Sequence, residues 1–321
     1  MGTIYFLVQQ MMTFSIPLLI VALGGLFSER SGVVNIALEG IMIIGGFSSI
    51  LFINFMQKMG VFDGQLLLIC AVLIAVISGG AFSLLHAYAA INMNADQTIS
   101  GTALNTFAPA FAIYGARMIQ PSNVQQITFN NTFRIASVPL LGDIPIIGNL
   151  LFKQAYITTY IGFAILIAAT ILLYKTRFGL RLRACGEHPQ AADSVGVNVY
   201  KMRYFGVLIS GMLAGLGGLV FVVPTSTNFN ATVAGYGFLG IAVLIFGQWK
   251  PIRIFIASLF FGLMKTISSS YSGIPLLLQL GINSYIYKMV PYIATLIVLA
   301  FTSKRSQAPR ALGQPYDHGG R

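Results

Sequence analysis

Residues 28–40 read SERSGVVNIALEG. They follow 27 residues without a charge, and after Glu39 the chain is uncharged again as far as Lys58. Glu29, Arg30, Asn35 and Glu39 therefore interrupt an apolar stretch, with Gly32 and Gly40 bracketing the last two. A loop between two apolar segments accounts for Glu29 and Arg30. It accounts less well for Glu39, which lies where the second apolar segment has already begun. How that carboxylate is held decides whether the segment is an ordinary helix or a broken one.

The composition says what surrounds it. The 321 residues are 56% hydrophobic and 8% charged, with a mean hydropathy of +0.80. Soluble domains carry roughly a quarter charged residues, so lipid must be the solvent for most of this chain. One all-α, polytopic membrane domain is expected over residues 1–303, with a tail over 304–321. The net charge of +11 would suit nucleic acid, but Lys and Arg flank long apolar runs instead of clustering with aromatics on one face. That pattern orients a membrane protein; the bilayer is the expected partner and nucleic acid is not. Cys70 and Cys185 belong to no CxxC pair, so they read as free thiols, with no disulfide or zinc site. The first residues have no basic stretch ahead of the apolar run, so a cleaved secretory signal is not expected.

A helix needs roughly 20 apolar residues to cross a bilayer. Uncharged runs of 32 residues between Asp63 and Asp96, 20 between Asp96 and Arg117, 21 between Lys153 and Lys175 and 46 between Arg203 and Lys250 meet that length. Nine segments result, near 4–27, 33–55, 65–91, 97–119, 156–174, 203–223, 233–248, 252–270 and 284–302, giving a fold of about 8–10 transmembrane helices. The basic loop 175–203 and the tail should lie in the cytoplasm by the positive-inside rule. The loop 120–155 then lies outside, as does the N-terminus. An odd count leaves room for a segment that does not span fully.

Two stretches are candidates for such a break. One is the opening motif. The other is PTSTNFNATVAGYGFLGIAVLIFG, residues 224–247. Each has Gly and polar residues followed by an aliphatic run ending in Gly, and one sits in each half of the chain. Interrupted helices at matching places line the substrate path in transporters built from internal repeats. If 33–55 is one helix, Asn35 and Glu39 share a face. That face either lines a path, or Glu39 lies at the interface or beside Arg30. GYGFLG formally matches a dinucleotide fingerprint, but no acidic residue follows between Asp193 and Asp317, so the match is set aside. The small residues Ser210, Gly211, Ala214, Gly215 and Gly218, and Ala108, Ala112 and Ala116, read as helix-packing faces.

Catalytic motifs are absent from the sequence. There is no HExxH, no GxSxG on a strand–turn–helix pattern and no P-loop, so no catalytic residue, metal or cofactor is expected; the chain should not bind ATP by a P-loop, and if transport is active its energy comes from a partner. His86 reads as a packed or interface histidine. In the basic loop, GEHPQAADSVGV (186–197) has Pro189 suited to a helix start and Gly196 to its end. A helix of about two turns there would give a soluble partner a mechanical handle.

SERSGVVNIALEGIMIIGGF, NADQTISGTALN, GLRLRACGEHPQAADSVGVNVYKMRYFGVLISGMLAGLGG and APRALGQPYDHGGR together resemble the membrane permease subunits of bacterial ABC importers. The resemblance runs from about residue 14 to the C-terminus. It is nearest to the simple-sugar and nucleoside branch of the family that includes branched-chain amino acid and ribose permeases, and the tail is most like the nucleoside type. An inverted repeat is expected from the two broken stretches; the resemblance implies a second related permease subunit, ABC ATPase subunits and an external substrate-binding protein, all at the cell (inner or plasma) membrane. By resemblance Gly186, Glu187, His188, Pro189, Ala191, Ala192 and Gly196 form the coupling helix that seats in an ATPase groove. Asn35, Glu39, Gly40, Gly235, Gly237 and Gly240 border the translocation path. Asn105, polar within the fourth segment, either joins that path or makes a buried interhelical hydrogen bond. The expected function is ATP-driven import of nucleosides or simple sugars. The alternative is a stand-alone carrier driven by an ion gradient, for which Glu39 is almost the only coupling group.

Overall fold

The computed structural model describes residues 2–61, 63–120, 123–138, 142, 144–145, 148–270, 283–302 and 307–317. Each of the nine apolar segments contains a helix within those residues. The first half contains α1 (Gly2–Arg30), α2 (Leu38–Met59), α3 (Gly64–Ile91), α4 (Gln97–Ile119) and α5 (Ile157–Lys175). Then come α6 (Arg177–Glu187), α7 (Pro189–Ser194), α8 (Val199–Thr225), α9 (Tyr236–Phe246), α10 (Pro251–Ser270) and α11 (Ser284–Thr302). Six of these, α1, α2, α3, α5, α8 and α10, are long and apolar enough to cross a membrane. Helices α4 and α11, with 23 and 19 residues, have the length. Helix α9, with 11 residues, reaches about half way at 1.5 Å per residue. The chain is an all-α polytopic membrane protein.

Small residues build the centre. Helix α8 lies against α1, α2 and α3. A Cβ placed on Gly215 would run into the Gly79 Cα and the Ala75 carbonyl of α3, so the two backbones touch where a larger residue would hold them apart. Along α3 the burial is inverted relative to a soluble helix. Ala71, Ala75, Ser83 and Ala87 are buried while Ile69, Leu73, Ile77 and Tyr88 are exposed. With no hydrophobic drive between helices in lipid, the small face packs and the large apolar face meets acyl chains.

Two ends can be told apart. At one, Asn54 Nδ2 donates to the Thr128 carbonyl (2.7 Å) and Asn131 Nδ2 to the Val223 carbonyl (2.7 Å), which ties the stretch after α4 to α2 and α8. Short strands add to this: β1 (Ile127–Thr128) pairs antiparallel with β4 (Asn228–Phe229), and β2 (Ile135–Ser137) with β3 (Lys153–Ala155). Asp63 caps α3, and hydrogen bonds from the Thr132 hydroxyl and the Gly64 amide hold its carboxyl below the usual carboxylate range. The opposite end gathers the basic loop, where the sequence led us to expect a single short helix. There are two, because the Thr176 hydroxyl caps α6 by accepting from the Gly179 amide (3.1 Å) and Pro189 then opens α7.

Candidate functional site

The opening motif is a break. Gly32, at φ +97°, turns the chain out of α1, and α2 begins only at Leu38, five residues later than its expected start. Asn35 therefore precedes the helix and shares no helical face with Glu39, contrary to the reading of 33–55 as one helix. Backbone that is not helical inside a membrane must find its hydrogen bonds elsewhere. Here side chains supply them. The Val34 amide donates to Gln97 Oε1 (2.7 Å), and the Val34 carbonyl accepts from His86 Nε2 (2.8 Å). The Val33 carbonyl accepts from Ser28 (2.7 Å) and the Ala37 amide donates to Asn35 Oδ1 (3.2 Å). Asn105 closes the set: its Nδ2 donates to the Ile36 carbonyl (2.8 Å) and its Oδ1 accepts from the Gly40 amide (2.7 Å). Gln97, Gly101 and Asn105, each four apart, form one face of α4 against the break, and Gly101 leaves room for Ile36. Asn35 Nδ2 reaches across to Ser210 of α8 (2.9 Å).

The second break meets the first. Gly235 at φ +77° starts α9, which has no side-chain cap of its own. Glu39 provides one from α2: the Gly235 amide donates to Oε1 (2.9 Å) and the Gly237 amide to Oε2 (2.6 Å). An anion at a helix N-terminus is favoured by the dipole and by the unpaired amides there. The carboxylate is 8% exposed, and a Cβ on Gly237 would collide with the main chain of Glu39. Glu39 is thus buried in the protein against α9, and among the described residues the ion pair of Arg30 is with Glu187. Asn35, Glu39, Gly40, Asn105, Gly235 and Gly237 come together around the two breaks. Gly240 stands one turn further along α9, where its backbone lies on Val21 of α1.

Beside this joint, α9, α10 and α11 line a half-open cavity of about 440 Å³. Gly235, Phe238, Ala242, Lys265, Thr295 and Leu296 line it. Sequence reasoning missed Lys265, because a charge five residues from the end of the 252–270 segment reads as a boundary.

At the basic end the motif's first pair has its own work. Glu29 accepts the Trp249 indole N–H, and Arg30 donates to the Trp249 carbonyl (2.9 Å). Together they hold the turn in which Gln248 and Trp249 take positive φ before α10. Arg30 also pairs with Glu187 at 3.6 Å, and Gly186 packs on the Arg30 carbonyl. The residues just ahead of α7 are therefore fastened to the turn before α2. Pro189 and Ala192 are buried, while His188, Gln190, Ala191, Ser194, Val195 and Gly196 face outward. Residues 307–317 strap over this region. The Ala311 amide donates to the Gly186 carbonyl (2.9 Å), the Gly313 amide to the Gly32 carbonyl (3.0 Å) and the Gln307 amide to Gln248 Oε1 (3.1 Å). Tyr316 packs with Cys185, Ala192 and Val199. Burial pushes the Cys185 thiol up to about 11. Burial, with the neighbouring Asp193 carboxylate, pushes the Tyr316 phenol up to about 12.

Comparison with known proteins agrees with this architecture. Residues 7–299 match the family described as branched-chain amino acid transport system / permease component. The chain is similar to the guanosine ABC transporter permease protein NupQ of Bacillus subtilis, at 44% identity over 98% of this chain and 97% of that one. It is similar to the nucleoside ABC transporter permease protein NupC of Lactococcus lactis, at 42% identity over 98% of each. A more distant relative in the same organism, the nucleoside ABC transporter permease protein NupB, is 25% identical over 85% of this chain and 74% of that one. No solved structure matches. With six helices long and apolar enough to cross a membrane and a family match over nearly its whole length, the chain is a transport subunit and not an enzyme: it belongs to the permease-component family of the branched-chain amino acid transport systems, the membrane permeases of ABC importers.

Proposed function

We propose that the chain is the permease of a nucleoside importer in the cell membrane, with its basic end and C-terminus in the cytoplasm. An ATPase docks on α7, and substrate arrives at the opposite end from an external binding protein. The observation that carries the coupling role is the fastening of Gly186 and Glu187 to Arg30. A push on α7 is delivered through Arg30 to the turn before α2, and through Trp249 to the turn before α10. Glu39 then passes movement of α2 to α9. Closure of the motors on ATP shifts the handle, and the joint between α2 and α9 rocks as a unit to change which side is open. By resemblance, Glu187 to Ala192 form the core of the docking helix, and the residues around the two breaks border the path.

The nucleoside reading rests on the substrates for which the relatives NupQ and NupC are named. A heteromeric pair with a second related permease is supported by the two nucleoside permeases, NupC and NupB, of one organism. An inverted repeat is supported by one break from each half meeting at Glu39. The test is co-purification from membranes followed by uptake. The subunit should carry an ATPase with it and, with its binding protein, take up labelled guanosine in an ATP-dependent way. Uptake that persists with no ATPase subunit present would sink the proposal in favour of an ion-driven carrier.

A further inference from the structure

We infer that the cavity between α9, α10 and α11 is a substrate station within the membrane that takes a nucleobase, and that Lys265 reads an acceptor on the edge of that base. The inference deepens the nucleoside reading above and rests on it.

The cavity, about 440 Å³, falls within the roughly 300–1,000 Å³ of small-molecule sites. It opens beside the one place where the two breaks meet. Lys265 lies 14 residues beyond Pro251 and five before Ser270 along α10, about 21 Å from one end of the helix and about 8 Å from the other at 1.5 Å per residue. A lysine at that depth faces a partner or a cavity. Among the described residues no carboxylate pairs with it, and the Glu39 carboxylate is occupied by Gly235 and Gly237. Its ammonium, which can only donate, lies over the Tyr236 ring at 6.0 Å and lines the cavity beside it. The Thr295 hydroxyl donates to the Pro291 carbonyl (2.7 Å), which leaves its oxygen to accept.

The walls choose the class of ligand. Phe238, Ala242 and Leu296 are apolar, and Phe238 is 49% exposed along this side. A sugar ring carries hydroxyls around its rim, and most would meet these walls unpaired at a cost. A nucleobase has two apolar faces and a polar edge, which matches apolar walls with one donor and one acceptor. A phosphate would find a single cation where charge-assisted recognition needs more. A 6-oxopurine offers the lysine an O6 and N7 acceptor pair, a pairing lysine makes elsewhere.

The experiment uses the whole importer, with partner permease, ATPase and binding protein, in liposomes. Uptake of inosine is compared with purine riboside, which lacks the 6-oxygen and the N1 proton that goes with it and keeps N7. The binding protein is the same in every arm, so a change of preference between variants belongs to the permease. Lys265→Met should lower inosine uptake about tenfold and bring it to the purine riboside rate, as expected when a donor for a substrate acceptor is lost. Lys265→Arg should retain most of the preference. Co-purification of the ATPase with each variant shows that it has assembled. As a second readout, Ala242→Cys should react with a water-soluble thiosulfonate, and inosine should protect it where ribose does not. An unchanged inosine preference in Lys265→Met, or an equal fall for both nucleosides, overturns the inference and leaves the nucleoside importer standing. Uptake of sugars by the wild type with neither nucleoside carried overturns both.

Discussion

The Glu39 carboxylate accepts the Gly237 main-chain N–H at 2.6 Å, and through that contact the starts of α2 and α9 are one joint. A side chain from the first half of the protein thus finishes a helix in the second. Glu39→Gln keeps one acceptor and loses the charge; Glu39→Ala leaves two buried amides unpaired, each worth about 1–3 kcal/mol. The expected order of thermal stability in detergent is wild type, then Gln, then Ala. Uptake and ATP hydrolysis should fall together in Gln, because the joint transmits the stroke. In an ion-coupled carrier Glu39→Gln would abolish uptake while leaving ATP hydrolysis alone.

Asn105 offers a cleaner dissection, because its two bonds have opposite polarity. It accepts from Gly40 and donates to Ile36. Asn105→Asp keeps the first and turns the second into a repulsion between two oxygens, whereas Asn105→Ala loses both. A stability loss of about 1–3 kcal/mol is expected for Ala. Exchange of the Gly40 amide should speed up in Ala and stay protected in Asp. Equal protection in wild type and Ala would show that Gly40 has another acceptor.

Much of this was legible in the residues. The spans followed from the length of uncharged runs, and the fourth segment, 97–119, coincides with α4. Both breaks were visible as Gly and polar residues inside apolar sequence. What was not legible is that they touch. Nothing local in Gly235-Tyr236-Gly237 names a carboxylate 196 residues away as its cap. The start of α2 was misplaced for a related reason. Val33, Val34 and Ile36 continue the apolar run, and side chains from α1, α3 and α4 hold them out of the helix. His86 was set aside as a packed residue; its ring proves to hold the Val34 carbonyl, in a role that needs the turn to exist first. Lys265 was hidden by its position near a segment end.

The outward face of α7 separates docking from folding. Ala191 is exposed and Ala192 is buried against Cys185, Val199 and Tyr316. Ala191→Arg should leave thermal stability within about 0.5 kcal/mol, as for exposed sites generally, and should lose the ATPase on co-purification. Ala192→Arg should destabilise the subunit itself. Retention of the ATPase by Ala191→Arg, and also by a Val195→Asp change on the same face, would move the docking surface elsewhere.

The strap over α7 can be read through Cys185. Alkylation requires the thiolate, and burial raises this thiol from an ordinary 9.0 to about 11. In a Cys70→Ser background the native protein should resist iodoacetamide at pH 8. Tyr316→Ala, or deletion of residues 307–321, removes the ring that covers the thiol, and labelling should then rise at least about tenfold as the pKa returns toward its free value. The sign of the pH effect follows from the same shift. A thiol whose folded pKa is raised favours the folded state only while it stays protonated. Its contribution is complete below about 9 and is lost as pH rises through about 11. The Tyr316 phenol, raised from 10.0 to about 12, acts in the same direction one step later. Labelling of the native subunit should therefore accelerate above pH 9 more steeply than thiolate formation alone requires, because the strap loosens as its groups ionise. A labelling rate that tracks the free thiolate fraction from pH 8 upward, unchanged by Tyr316→Ala, would mean that the strap does not cover Cys185 in the membrane.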